Sequence, residues 1–298
     1  LMFLRTGLQL PTRTGAGSTP AGLSGSIVSA FSYEAETELV AAAFSTPPTT
    51  ARQRTINRAI KRLKAAGIWE KARWLRFQGA NADASLTNWK VPSEKALAVG
   101  SPAHTADQHF AGTAGSNYVN SALDADELEQ NNLGIFGWFQ TGHMKPTASQ
   151  TGSVLGAIDG SGNGISIVPN NSNSLRIRCA GSLITGSANG SDGFGLIGAS
   201  RHNSTHVELY YNGIKRETVA NTSAPLPALS IYLCAINNNG GAVSNGNTVP
   251  QSFLYLGQAL NEAEALELTG IVGEYLERVR YGEYYCEEVG IGEQHVVK

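Results

Sequence analysis

Cleaving a glycosidic bond takes two carboxylates about 5–10 Å apart, which a β-sheet supplies from alternate positions of one strand or from facing strands. The acids of this chain are not spaced that way. Asp124, Asp126, Glu127 and Glu129 crowd into one stretch that precedes an apolar run and reads as a loop, while Glu208 is the lone acid of its own stretch. Serine-type hydrolysis needs a tight nucleophile turn with a histidine to match, and His104, His109, His143, His202, His206 and His295 lie near none. His202 and His206 fall on a loop and a strand, so their spacing does not put them on one face. Asp159-Gly160-Ser161-Gly162-Asn163 has the outline of a calcium loop. A hard cation wants several oxygen ligands, and only one residue here is a carboxylate, so a hairpin turn is the better reading. Cys179, Cys234 and Cys286 are too few for a disulfide framework and fit no zinc spacing. The residues therefore predict no catalytic group, no metal and no cofactor.

Binding chemistry has more to work with. Arg52, Arg54, Arg58, Lys61, Arg62 and Lys64 place six cations and no acid in 13 residues. No aromatic residues interleave them and the chain is not basic overall, with a pI near 6.3, so nucleic acid is disfavoured. The stretch is a candidate assembly contact. Residues 1–100 carry 13 bases and 6 acids, against 9 and 18 in residues 101–298, and residues 259–298 alone hold nine acids and three bases. Such poles pair either within the chain or head to tail between copies of a homo-oligomer. Tyr210, Tyr211, Tyr232 and Trp138 could stack on sugars, although rings in a sandwich more often fill or cover the core. Cys179 and Cys234 sit in apolar alternation and are expected to be buried. Cys286, between Tyr284-Tyr285 and Glu287-Glu288, is the thiol expected to be exposed and is a candidate for a bond between chains.

These groups need a scaffold, and composition narrows it. Only 15% of residues are charged against a usual value of roughly 25%. Asn, Ser, Thr and Gly must carry the surface, which argues against a mostly helical protein. An apolar share of 41% suffices for a sizeable core and excludes disorder along the whole chain. No uninterrupted apolar run is long enough to span a membrane. The start, Leu1–Leu10, holds Arg5, is short and makes a poor signal peptide.

Residues 1–32 read as an extended arm. Residues 33–77 read as helical. A first helix runs over Glu34–Phe44 and stops at Pro47-Pro48; a second is capped by Thr50 with Gln53 three residues on, carries Ile56, Ile60 and Leu63 on one stripe, and ends at Gly67. From about residue 105 the period becomes two. Strands are expected near 109–113, 118–121, 133–141, 153–158, 164–168, 175–180, 194–200, 206–211, 215–219, 229–236 and 252–256. Turns at Asp159–Asn163 and Asn212-Gly213 make two hairpins. A last helix, capped by Asn261 with Glu264, runs to about Val279, and an acidic tail follows.

The order of these pieces is similar to a known family. Pro47-Pro48-Thr49-Thr50-Ala51-Arg52 leads into the helix ending Ala66-Gly67-Ile68-Trp69; Asn88-Trp89-Lys90, the stretch from Phe110 to Val119, Leu209-Tyr210-Tyr211-Asn212-Gly213 and the stretch from Leu254 to Glu264 follow. Over roughly residues 45–280 the chain resembles tailed-bacteriophage and prophage structural proteins in which a short helical segment precedes a concanavalin A-like, laminin-G-like jelly roll. The resemblance implies a mainly β protein built on an antiparallel sandwich. It divides the chain into an arm (1–32), a helical attachment segment (33–90), a sandwich with its terminal helix (91–280) and a tail (281–298). It implies a non-enzymatic virion subunit of tail, collar, baseplate or head surface, with other virion proteins as partners. The alternative is an adsorption module for host surface glycan. The strongly basic second helix and the long tail depart from the family pattern, and both are expected to serve this protein's own contacts.

Overall fold

Alternation of apolar and polar residues dominates the computed structural model, which describes residues 32–112, 115–139, 155–171, 174–186, 195–243 and 250–281. Three helices come first: α1 (Ala35–Ala42), α2 (Thr50–Ala65) and α3 (Ile68–Lys71). Next are β1 (Ala72–Phe77), α4 (Ala82–Leu86), β2 (Leu97–Val99), β3 (Ala103–Thr105), β4 (His109–Ala111) and β5 (Tyr118–Asp124). The central run holds β6 (Leu133–Phe139), β7 (Leu155–Ile158), β8 (Gly164–Asn171), β9 (Ser174–Gly181), β10 (Ile184–Thr185), β11 (Gly195–Arg201), β12 (His206–Tyr211) and β13 (Ile214–Ala220). Last come β14 (Ser230–Leu233), β15 (Ile236–Asn238), β16 (Gly241–Val243), β17 (Gln251–Gly257) and α5 (Glu262–Tyr281).

The strands make two sheets. The first has the order β13-β12-β11-β6-β17-β4-β3, with β1 also on β17; the second has the order β10-β9-β8-β7-β14-β5-β2, with β15 and β16 attached through β7. Among the described strands every pairing is antiparallel except the short one of β15 with β7. One apolar cluster lies between the sheets. Ile135, Ile197, Leu209, Leu254 and Leu256 of the first sheet meet Leu155, Ile165, Ile167, Ile177 and Leu233 of the second. The alternate residues of the first sheet, Phe136, Leu196, Tyr210, Phe253 and Tyr255, join Ile56, Ile60 and Leu63 of α2 and Leu268, Ile271 and Leu276 of α5 in a second cluster. The chain is thus a jelly-roll-like sandwich with a helical layer over one outer face. β6 and β17 lie between neighbours in the first sheet and are buried nearly throughout, which is why both of their alternations are apolar.

Several sequence expectations are met closely. α5 starts after Asn261, whose Oδ1 accepts from the Glu264 amide (3.0 Å) while the Glu264 carboxylate accepts from the Asn261 amide (2.9 Å). Gly67 ends α2 in the left-handed region, at φ 71°. The β12–β13 hairpin turns through Asn212 (φ 50°) and Gly213 (φ 76°).

Others are corrected. Residues 72–77, expected as helix, are strand β1. Its Trp74 faces the inter-sheet core while Leu75 and Phe77 face the helices, and a strand buried on both faces shows little polar alternation. β1 pairs with β17 from Ala72↔Gly257 to Phe77↔Phe253. The α2 cap is Thr49, one residue earlier than expected, its Oγ1 accepting from the Arg52 amide at 3.2 Å. The strand expected over 229–236 is broken into β14 and β15, with Cys234 at φ 63° between them. Strands β2, β3, β10 and β16 were not foreseen; each is two or three residues long. The arm through residue 31, the strand ends at 113, 140–141 and 153–154, and the tail from 282 lie outside the described residues.

Candidate functional site

The acids and histidines of the sequence do not converge. Among the described residues no group of three or more His, Cys, Asp or Glu could hold a metal. Glu208 sits on β12, where Tyr210 donates to its Oε2 (2.6 Å) and Lys215 to its Oε1 (3.1 Å). Burial pushes its pKa up, but these donors outweigh burial and hold it below the usual carboxylate value. His202 lies 3.5 Å from the same carboxylate, and His206 contacts Thr205. His104 Nε2 stands 3.0 Å from Ser85 Oγ, a pair with the look of a nucleophile and its base. Ser85 is wholly buried and ties Gly79 and Asn81 into a turn, so its hydroxyl is structural. The Asp159 carboxylate is occupied by the amides of Ser161 (2.8 Å) and Asn163 (2.9 Å), which makes Asp159–Asn163 the hairpin turn its sequence suggests. His143 and His295 lie outside the described residues.

The basic helix meets acids of its own chain. Arg52 bonds Asp107, Arg58 and Arg62 reach Glu274, Arg62 also takes Glu267, and Lys64 bridges Glu34 and Glu36, all at 2.6–3.0 Å. Arg54 and Lys61 are on the exposed side of α2. Of the two ways the charge poles could pair, the one within the chain is present. Between α2 and α5 the ion pairs border a cavity of about 10 Å³, room for one water at most.

Of the four candidate stacking rings, three are occupied. Tyr210 is buried at 1% exposure beneath the helical layer, Trp138 packs against that same layer, and Tyr211 leans on the inter-sheet core with Arg216 against its ring. Tyr232 alone is on the outer face of the second sheet. Its ring stacks on Tyr118, centroids 4.4 Å apart at 29°. Tyr118 went unnoticed in the sequence; the available signal was its alternation with Val119, which points into the core.

Register places a row of residues across this face. Leu97, Asn120, Tyr232, Gly156, Ser166 and Arg178 are consecutive partners on β2, β5, β14, β7, β8 and β9. Inward-facing neighbours of each row member lie in the inter-sheet core, so the row itself faces out. Gly156 carries no side chain in it and is buried. With φ 149° and a Cβ position 2.3 Å from Ile165 O, no other residue fits there. At roughly 4.8 Å per strand, Tyr232 and Arg178 stand about 14 Å apart. Arg178 donates to Gly162 O (2.8 Å) and to Ser166 Oγ (3.2 Å). Arg176, two residues along β9, lies on the same face with Thr185 of β10 beside it. Burial lowers the pKa of Arg178, and the charge of Arg176 lowers it further. The face can do three things: present a flat aromatic surface, offer the amide of Asn120, and attract an anion.

No protein-family model matches the chain, and no curated protein does. Solved structures do. A mutant of Trypanosoma rangeli sialidase displaying trans-sialidase activity aligns over 75% of this chain with 11% identity and a TM-score of 0.50. A botulinum neurotoxin type C structure, from a toxin that depends upon interaction with two ganglioside molecules to enter cells, aligns over 70% with 12% identity and a TM-score of 0.51. The chain spans 39% of the first and 53% of the second. These likenesses establish the β-sandwich fold.

Proposed function

We propose that this chain is a non-enzymatic β-sandwich module of a tailed-bacteriophage particle, and that the outer face of its second sheet contacts saccharide on the host surface. One observation carries the binding reading: the outer face of the first sheet is filled by α2 and α5, while the second sheet presents the half-buried Tyr118–Tyr232 stack on its outer side. A sugar ring has an apolar face that lies flat on an aromatic ring, and its hydroxyls would reach the half-buried Asn120 in the same row. The order of sequence motifs supports the particle assignment. One structural relative is a toxin whose cell entry depends on ganglioside molecules and another is a sialidase mutant, and fold precedent of this kind is an association only. The carboxylate best placed on a strand, Glu208, faces the helical layer and is already bonded to Tyr210 and Lys215, which favours binding over cleavage.

A shallow face gives weak single-site binding, and many copies on one particle raise it by avidity. The test is a glycan array probed with the full chain displayed multivalently on beads, alongside Tyr118→Ala and Tyr232→Ala. Retention of defined glycans that either variant loses supports the reading. Binding unaffected by both variants refutes it for this face, and release of reducing ends from a bound glycan refutes the non-enzymatic part. Labelled antibody seen on the assembled particle by electron microscopy checks its location.

A further inference from the structure

The geometry points to an acidic oligosaccharide as the ligand of this face, with a carboxylate of the saccharide held by Arg176 and Arg178 while a second ring lies on Tyr118 and Tyr232. This rests on the saccharide reading above and adds the chemical class of its ligand.

Cations elsewhere on the described surface are mostly matched. Arg52, Arg58, Arg62, Lys64, Lys71, Arg73, Lys90, Lys95, Lys215 and Arg278 each have a carboxylate within 4 Å. Arg176 and Arg178 have none among the described residues, although they stand side by side on one strand and repel one another. The Nε of Arg176 is buried without a hydrogen-bond partner among the described residues. Arg178 has committed Nε and Nη1 to Gly162 O and Ser166 Oγ, which fixes the plane of its guanidinium. Two partly desolvated guanidinium groups without a counter-charge among the described residues make an anion site, and a carboxylate suits them because a guanidinium edge bonds both of its oxygens at once. The chain's net charge is −2, so a general attraction for polyanions does not explain such a site. The span of about 14 Å from Arg178 to Tyr232 exceeds one sugar ring, which makes the ligand an oligosaccharide with its charged unit over β9.

A glycan's negative charge can be a carboxylate or a sulfate ester, and the probes separate the two. The full-length chain is displayed on beads and titrated with alginate, polysialic acid, carboxyl-reduced alginate, dextran sulfate and dextran. Arg176→Gln removes no hydrogen bond made by the described residues and should leave the fold intact; Arg178→Gln is the second variant, with a thermal melt for each. Arg54→Gln, on the exposed side of α2, is the control for non-specific charge. The expected result is binding of alginate or polysialic acid, weakened at least tenfold by carboxyl reduction and by Arg176→Gln, and unchanged by Arg54→Gln. If dextran sulfate binds as well and depends on Arg176 while the carboxylated glycans do not, the carboxylate assignment is wrong. If neutral dextran or reduced alginate binds through Tyr118 and Tyr232 and the arginine variants change nothing, the acidic-ligand inference falls and the saccharide reading stands. If none of the probes binds, both fall.

Discussion

Replacing Glu274 by Gln should loosen the helical layer from the first sheet in a salt- and pH-dependent way. Glu274 accepts from Arg58 Nε (2.7 Å), Arg62 Nη1 (2.6 Å) and Arg278 Nε (2.8 Å), so one carboxylate ties α2 to α5. Burial would raise its pKa, but Arg278, Arg58 and Arg62 together hold it below the usual carboxylate value. The three arginines are 30–51% exposed, which screens each pair heavily. At about 0.2–1 kcal/mol per exposed pair, the network is worth about 1–2 kcal/mol at low salt. Gln keeps the shape, removes the charge and leaves three cations close together, with Glu267 on Arg62 as the remaining acid. For a unit of roughly 250 residues that corresponds to a melting temperature lower by about 2–5 °C. The sign with pH follows from the lowered pKa. The contribution is fully present above the unfolded-state value near 4.5 and is lost as pH falls through the folded value. The measurement is calorimetry of Glu274→Gln against the parent at pH 7 in 20 mM and 1 M NaCl, and again at pH 3. The gap should shrink at high salt and close at low pH. An equal gap in both salts, or no gap at pH 7, would refute the electrostatic account of the seam.

Other substitutions test the packing. Gly213→Ala should cost about 2–3 kcal/mol, since Gly213 is at φ 76° and a Cβ there would lie 2.4 Å from Leu266 Cα in α5; a neutral denaturant midpoint would contradict it. Gly273→Ala should instead raise the midpoint by about 0.5–1 kcal/mol, because the added Cβ meets Trp138 at an ordinary 3.5 Å and helix propensity improves; a loss would mean that Trp138 cannot give way. Arg201→Leu should cost at least about 3 kcal/mol, as the wholly buried guanidinium bonds the carbonyls of Cys179, Asn203 and Asn221, and the measurement is the same urea titration. Burial pushes the thiol pKa values of Cys179 to about 12 and Cys234 to about 11, so at pH 8 neither should alkylate until the chain unfolds, and mass spectrometry of the native protein should find label on Cys286 alone.

Local rules were enough where local chemistry decides. The Asn212-Gly213 turn, the Asn261 cap and the Gly67 stop each need particular residues within a few positions, and all three formed where the sequence put them. The long strands β6 and β17 were visible because central strands carry apolar residues on both sides. Strand β1 was not, because Ala72-Arg73-Trp74-Leu75-Arg76-Phe77 continues a helical stretch in sequence and becomes a strand only through pairing with distant β17. The kink at Cys234 is also tertiary: a left-handed residue inside an apolar run has no sequence mark, and it lets the chain leave β14 and pair with the second half of β7. At the candidate site, Tyr232 was among the rings singled out, whereas Tyr118 and the arginine pair were missed. Arg176 and Arg178 read as ordinary polar alternation around Ile177, and that no described carboxylate meets them is a property of the assembled face. Cys286 and the arm fall outside the described residues.

The charge poles of the sequence have a physical role that bears on orientation. In a chain with only 15% charged residues, the six cations of residues 52–64 could have been a surface kept for a neighbour. Four of them instead bind acids of the same chain, two of these in the α2–α5 seam over the first sheet. That seam is what makes the two outer faces of the sandwich different. The helical layer buries the rings that one sheet would otherwise show, Phe136, Tyr210, Phe253 and Tyr255, and with them that sheet's means of stacking on a ligand. The second sheet has no such cover from a described helix, and its rings and arginines are left facing outward. Arg54 and Lys61 lie on the exposed side of α2, about 10 Å from the seam across the width of a helix. On the function proposed above, attachment through the helical layer would leave the saccharide face on the opposite side of the sandwich, so that attachment to a particle and contact with a saccharide would not compete for the same residues.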